Sequence, residues 1–449
     1  MADEVQLAQM WDYAIDRVRE HFADCRLDEL STVERVFATT IRPDLEGAIH
    51  DVLKAIDPDY SISGIGHGDR YDALSFLTII KARREPPIIG PLEYMDIDVG
   101  ADQPARCLQQ GLYQFQMNGA PAALLISQMP RFVTGQSGVR IEVISSPQSG
   151  GFRSAQTLMA SVVAALAENS VYKGRTLSFE TGHQHSGALG ALKVHRLPQT
   201  KLSDVILPQA TLETLKRTVF GFVETRSKLR ELGFSAKRGL LLYGPPGTGK
   251  THFIRYIISN LEDHTAFLVT AEQVVAIEQI MVLARAMQPS IVIIEDADLI
   301  ARSREQMGDA CEEVLLNKLL NEMDGLTEDS EILFVLTTNR PEQLEDAIRN
   351  RPGRIDQAIE IPKPDAECRA RLFDLYRMGV EIPDELKAEC VQRTEGVTAS
   401  FMRELARRMT QFAILRGDSA ALNQADMRMA FEDLFGSSAL NASFLGATE

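Results

Sequence analysis

Two short stretches hold the residue types that handle phosphate. "GPPGTGKT" (244–251) ends in Lys250 and Thr251, and "IVIIED" (291–296) ends in Glu295 and Asp296. A glycine-rich turn lets successive backbone N–H groups converge on phosphate oxygens, and a lysine behind it adds a positive charge. Lys250 would reach the outer phosphates of a nucleotide, and the Thr251 hydroxyl would hold Mg2+. Two adjacent carboxylates at the end of an apolar run suit the rest of such chemistry. One acid stands near the metal, usually through its waters, and the other orients or deprotonates an attacking water.

These groups need a scaffold, and the flanking sequence supplies one. "LLLY" (240–243) reads as a buried strand feeding the turn, and a helix with Phe253, Ile257 and Leu261 on one face follows it. The start of that helix adds its partial positive charge to the phosphate site. "IVII" reads as a buried parallel strand whose end delivers Glu295 and Asp296. From Leu212 onward helical patterns alternate with "LLLY", "AFLV", "IVII", "ILFVLT" and "AIEI", which predicts an α/β domain with a parallel sheet. Beyond Pro364 the pattern is helical only.

Four ordered motifs give this stretch a family resemblance. "GPPGTGKT", "LLNKLLNEMDGL" (315–326), "TTNRPEQLEDAIRNRPGRID" (337–356) and "EIPKPD" (360–365) together resemble the AAA+ ATPases. Within these, the likeness is to the AAA clade that holds the proteasomal ATPases and the membrane-bound AAA proteases. It covers roughly 201–436 and leaves the first 200 residues unmatched. The resemblance implies ATP and Mg2+ as ligands. It makes Gly244, Pro245, Pro246, Gly247, Thr248, Gly249, Lys250, Thr251 and His252 the nucleotide-binding loop, with Thr251 and, through water, Glu295 at the metal. Glu295 and Asp296 become the Walker B acids, Asn339 the sensor 1 residue, and Arg351 and Arg354 of "RPGR" the arginine fingers. In this family a finger acts on the neighbouring subunit's nucleotide, so a ring is implied, usually a hexamer. "TEGVTASFMRELARR" (394–408) falls in the sensor 2 region, with Gly396, Ala399 and Ser400 in a small-residue turn. Val205 and Ile206 lie where the family contacts adenine, although the usual Gly-Gly after them is missing.

Two departures from the family pattern bear on function. The Walker B acids usually run Asp then Glu, and here they run Glu295 then Asp296. The swap lengthens the first arm by a methylene and shortens the second, so slow to moderate hydrolysis is expected, not its loss. The same order occurs in relatives resembling the mitochondrial translocase of the folded Rieske protein. The second departure lies between the two Walker motifs, where threading unfoldases carry an aromatic pore loop. Here "AFLVTAEQVVAIEQIMVLARAMQPS" (266–290) has no aromatic after Phe267, and Val274, Val275 and Ile277 read more readily as packed helix residues than as pore lining.

Composition frames the whole. At 449 residues, 45% apolar, the chain is long enough for two or three domains with real cores. A net charge of −16 argues against nucleic acid or an anionic membrane as the main partner. The five cysteines are scattered without a CxxC pair, as in a reduced, cytoplasmic protein. No signal peptide or membrane-spanning run is apparent. Residues 1–70 read as a helical segment, with "DPDYSISGIGHGDR" (57–70) as a loop that does not follow a strand. Residues 71–200 read as an α/β recognition region, with a hairpin at Asn118-Gly119. His183 and His185 fall in a Gly/Ser-rich linker and read as solvated, not as metal ligands. The α/β core then spans 201–363, a helical lid 364–436 and a tail 437–449. The expected activity is ATP hydrolysis that remodels or disassembles a protein or complex of unknown identity, recognised through the N-terminal region. The alternative is a slow, nucleotide-switched scaffold that controls assembly of a partner complex.

Overall fold

In a computed structural model of the chain, the described residues are 12–66, 74–81, 86–129, 138–168, 170–180, 192–299, 312–342, 355–417 and 420–435. The chain divides into two compact units, 1–173 with 182–194, and 174–181 with 195–449.

The first unit contains, in chain order, α1 (Ala14–His21), β1 (Ser31–Ala38), α2 (Arg42–Ile56), β2 (Ser61–Gly66), α3 (Phe76–Lys81), β3 (Ile88–Gly90), β4 (Tyr94–Ile97), β5 (Ala105–Leu108), β6 (Gly111–Met117), β7 (Ala120–Met129), β8 (Gly138–Ser145) and α4 (Gly151–Glu168). Six of these strands form an antiparallel sheet in the order β1-β8-β7-β6-β2-β3. Side chains alternate across a strand, so one sheet can serve two cores. Leu124 and Ile126 pack with Leu45 and Ile49 of α2 and Leu158 and Val162 of α4. Ala123 and Leu125 pack on the other face with Val18 of α1, Phe22 just after it, and Phe76 and Ile79 of α3. The hairpin turns at Asn118 and Gly119, both at positive φ, as expected.

Two stretches depart from expectation. "STVERVFA" within the helical N-terminal segment is strand β1, paired residue for residue with β8 from Ser31↔Ser145 to Ala38↔Gly138. Its Thr, Val and Phe content suits a pleated edge better than a helix. "SISGIG", expected in a loop, is strand β2 between β3 and β6. Gly64 serves close approach, since a Cβ there would lie 2.0 Å from the Pro91 carbonyl oxygen.

Further along the chain come β9 (Thr176–Phe179), β10 (Leu192–His195), α5 (Gln209–Lys216), α6 (Phe222–Glu231), β11 (Arg238–Tyr243), α7 (Lys250–Asn260), β12 (Thr265–Val269), α8 (Ile277–Ala286), β13 (Ser290–Ile294), α9 (Glu312–Asp324), β14 (Ile332–Thr338) and β15 (Gln357–Glu360). Six strands of the second unit run parallel in the order β9-β12-β13-β14-β11-β15. The five strands read from the sequence are all present. β9 joins them from before residue 201, pairing with β12 and stacking Phe179 on Phe267 at 6.5 Å between ring centroids. Phe253 and Ile257 of α7 pack on Leu240, Leu242, Ile291 and Val335, which fixes the helix against the strand that feeds it. Burial of a ring such as Phe253 contributes roughly 1.5–3 kcal/mol.

The C-terminal helices are α10 (Ala366–Tyr376), α11 (Asp384–Arg393), α12 (Ala399–Leu415) and α13 (Gln424–Phe435). They enclose their own core of Leu372, Phe373, Phe401, Leu405, Met409 and Phe431. The Asp365 carboxylate caps α10 by accepting from the Cys368 N–H at 2.8 Å, and Thr398 caps α12.

Candidate active site

The glycine-rich turn joins β11 to α7. Gly244, Gly247 and Gly249 have φ of 143°, 76° and 112°, a region other residues rarely adopt. Two of them also need the missing side chain. A Cβ on Gly244 would lie 2.3 Å from the Ile361 carbonyl oxygen, and one on Gly247 would lie 2.0 Å from the Ser400 hydroxyl. Thr248 closes the turn by donating to the Pro245 carbonyl at 2.9 Å. The Lys250 ammonium is buried under the loop and donates to the carbonyls of Gly244 and Pro245 at 2.7 and 2.9 Å. Burial pulls its pKa down to about 8, and the carboxylates of Asp296 and Asp298 act in the opposite sense. Thr251 is exposed on the first turn of α7, and His252 donates from Nε2 to the Asp204 carbonyl at 3.0 Å.

The acids lie where β13 ends, next to the end of β14. Glu295 is half-buried and its N–H donates to the Val269 carbonyl at 3.4 Å. Asp296 is exposed, with φ at 50°. The Asp296 N–H donates to the Thr337 hydroxyl at 3.0 Å, and the Ala297 N–H to the Thr337 carbonyl at 2.8 Å. In return, the Asn339 amide donates from Nδ2 to Asp296 Oδ1 at 3.0 Å. The structure therefore joins Asp296 and Asn339 directly. It also adds a residue outside the sequence motifs. Asp298, 3% exposed, accepts at Oδ1 from the Thr338 hydroxyl at 2.9 Å and from the Asn339 N–H at 3.1 Å. Its signal was a third acid, two positions after Asp296, in the same strand-end run.

The other candidates fall as follows. Val205 packs into the sheet core with Leu207, whereas Ile206 between them packs into the lid core. The segment thus runs between the two cores beside α7. Ser400 of the sensor 2 turn donates its N–H to the Gly247 carbonyl at 3.1 Å, so lid and phosphate loop touch. Val274 and Ile277 are buried, and Val275 is 45% exposed. Arg351, Arg354, His183 and His185 lie outside the described residues. Among the described residues no group of His, Cys, Asp and Glu side chains is placed to hold a metal by itself.

Glycines that only a bare backbone can occupy, a buried cation below them and an exposed threonine at a helix start fit a polyphosphate with its metal. Comparison with known proteins agrees. Residues 240–363 match the model of the ATPase family associated with various cellular activities, AAA. The chain carries an AAA ATPase domain. The proteasome-activating nucleotidase of Methanosphaerula palustris is 32% identical over 215 residues, 45% of this chain and 52% of that protein. The 26S proteasome regulatory subunit S10B homolog B of Arabidopsis thaliana is 31% identical over 195 residues, 41% of this chain and 49% of that protein. The ATP-dependent zinc metalloprotease FtsH of a Sulfurovum species is 32% identical over 269 residues, 56% of this chain and 39% of that protein. The chain spans about half the length of the curated relatives it matches. Within the AAA domain, the phosphate loop, the strand-end acids and Asn339 occupy adjoining strand ends of one parallel sheet, the usual place for a ligand in such folds.

Proposed function

We propose that this chain binds ATP with Mg2+ through residues 244–252 and hydrolyses it, and that the nucleotide cycle remodels or disassembles a protein or complex. The observation that carries this reading is the direct bond between Asn339 and Asp296, in the same site as Lys250. Lys250 and the loop N–H groups would hold the phosphates. Thr251 directly, and Glu295 through water, would hold Mg2+, which supplies charge neutralisation at the outer phosphate oxygens. Asp296 accepts the proton of the attacking water, and the Asn339 amide fixes the direction in which that carboxylate points. The shorter second acid is thus supported from the side.

Arg351 and Arg354 would complete the site of a neighbouring copy in a homo-hexamer, as the resemblance implies. The proteins named above include a proteasome-activating nucleotidase and a proteasome regulatory subunit, which supports a protein as the substrate. We assign its recognition to the N-terminal α/β unit, because that unit lies outside the AAA match. A cytoplasmic location agrees with an acidic chain in which no described helix is long and apolar enough to cross a membrane. A switched scaffold with slow turnover is the second reading. It is favoured by one fact, that the second strand-end acid is the shorter aspartate, Asp296.

Phosphate release from full-length protein, with and without Lys250→Ala, tests the hydrolytic reading. Release that depends on Lys250 is expected. Equal release from both proteins would remove the assignment of the site. ATP-dependent assembly without release would favour the scaffold.

A further inference from the structure

We propose that Asp298 is a positioning residue for hydrolysis, and that with Thr337 it locks the ends of β13 and β14 into one piece that makes the short acid at 296 usable. This rests on the hydrolytic reading above and extends it to a residue that reaches neither nucleotide nor water by itself.

The two strands are neighbours, paired in parallel as far as Ile294↔Leu336. Beyond that point regular pairing stops, and two side chains take over. Thr337 accepts from the Asp296 N–H at its hydroxyl and from the Ala297 N–H at its carbonyl. Asp298 accepts from the Thr338 hydroxyl and the Asn339 N–H at a single oxygen. The Thr338 hydroxyl also accepts from the Arg340 N–H at 2.9 Å, so the lock runs one residue past the sensor. The Asn339 amide then closes the circuit on Asp296 Oδ1.

The location argues against a purely structural role for these bonds. Asp298 is buried and accepts two hydrogen bonds at one oxygen, in a place where a polar group without partners is costly. Its two donors belong to Thr338 and Asn339, the last residue of β14 and the residue whose side chain faces Asp296. Asp298 also adds negative charge near Lys250 and so supports the ammonium form there. An aspartate at 296 has a shorter reach than the glutamate usual at that position. Geometry must then come from the backbone, and Asp296 is indeed turned into the left-handed region at φ 50°. That conformation is held by the Thr337 hydroxyl on one side and by Asn339 on the other, and Asp298 fixes Asn339. A misplacement of about 1 Å in a catalytic group can reduce rate about a hundredfold.

The test compares wild type, Asp298→Ala and Asp298→Asn as full-length proteins. Asp298→Ala should lower kcat roughly 30- to 100-fold and leave the KM for ATP within about threefold, because the donors it frees, Thr338 and Asn339, lie outside the phosphate loop. Asp298→Asn keeps one carbonyl oxygen for both donors and should retain at least about a tenth of wild-type kcat. Hydrogen exchange on the segment 332–340 gives a readout independent of turnover. The Asn339 amide should lose protection in Asp298→Ala and largely keep it in Asp298→Asn. Wild-type kcat in Asp298→Ala, or equal losses in kcat and ATP affinity, would overturn the proposal. So would unchanged protection of the Asn339 amide. If wild type binds ATP but never releases phosphate, the hydrolytic reading fails, and with it the catalytic part of this proposal. The exchange experiment then still decides whether Asp298 holds the strand ends together.

Discussion

At the scale of the residue, the swapped acids are a change of backbone as much as of side chain. Asp296 sits at φ 50°, where aspartate and asparagine are tolerated and longer side chains are rare. Asp296→Glu, which brings back the commoner residue, should therefore not speed turnover. It should lower kcat, with about 1–2 kcal/mol of strain in this turn, and a faster enzyme in a phosphate-release assay would contradict the account. Asp296→Asn should keep ATP binding and lose turnover, since it keeps the backbone but not the base. Lys250 gives a pH prediction. Its folded-state pKa is lowered to about 8, below its value in the unfolded chain. Between the two values the unfolded state holds the extra proton, so stability should rise with pH through that window. ATP affinity of the free protein should move the opposite way and weaken above about pH 8, as the ammonium is lost. Calorimetric titration at neutral pH and near pH 9.5 measures it, and an unchanged affinity would show that Lys250 does not titrate there. The turn residues and Lys250 were legible in sequence because a glycine-rich loop, a lysine and a helix must be contiguous. Asp298 was not, because its partners Thr338 and Asn339 lie about 40 residues away and only the parallel pairing of β13 with β14 brings them near.

At the scale of the element, the phosphate loop and the lid share an interface one hydrogen atom wide. Gly247 has no room for a methyl group against Ser400, and its φ of 76° adds strain for any other residue. Gly247→Ala should lower stability by roughly 1–3 kcal/mol and weaken ATP binding together with it. Thermal unfolding with and without nucleotide checks this; a variant of wild-type stability would mean that lid and loop separate easily. The five core strands were readable because both faces of a parallel sheet are covered, which leaves continuous apolar runs. β1 and β2 were harder to read. Their apolar residues are few, since β1 lies at an edge of the first unit's sheet and β2 passes so close to the chain at Pro91 that it needs glycine. A strand recognised by the company it keeps in space leaves little trace in its own composition.

At the scale of the whole molecule, the prediction is a ring in which each copy completes its neighbour. Arg351→Ala and Arg354→Ala should bind ATP normally and hydrolyse it poorly. Mixing either with Lys250→Ala protein should restore part of the activity once rings reassort, because an intact arginine then meets an intact phosphate loop. Full specific activity in a dilute monomer would refute the ring. Recognition by the N-terminal unit is tested by truncation, and the structure dictates where to cut. Protein beginning at Leu202 lacks β9 and bares the edge of β12, whereas protein beginning at Gly174 keeps it. Both should lose the physiological partner, but only the shorter should aggregate, as an uncovered strand edge invites pairing. If the protein beginning at Gly174 still captures and remodels its partner at the full-length rate, recognition lies elsewhere.

β9 also has a consequence for how the protein is made. Thr176 pairs with Ala266, about 90 residues later in the chain. At roughly 5–20 residues per second of synthesis, β9 leaves the ribosome some 5–20 s before β12 exists. For that interval it lacks the parallel partner β12, and the edge that β12 will cover stays open. The sheet that carries the nucleotide site must therefore be finished out of order, with β9 synthesised first and docked on β12 only after about 90 more residues have been made.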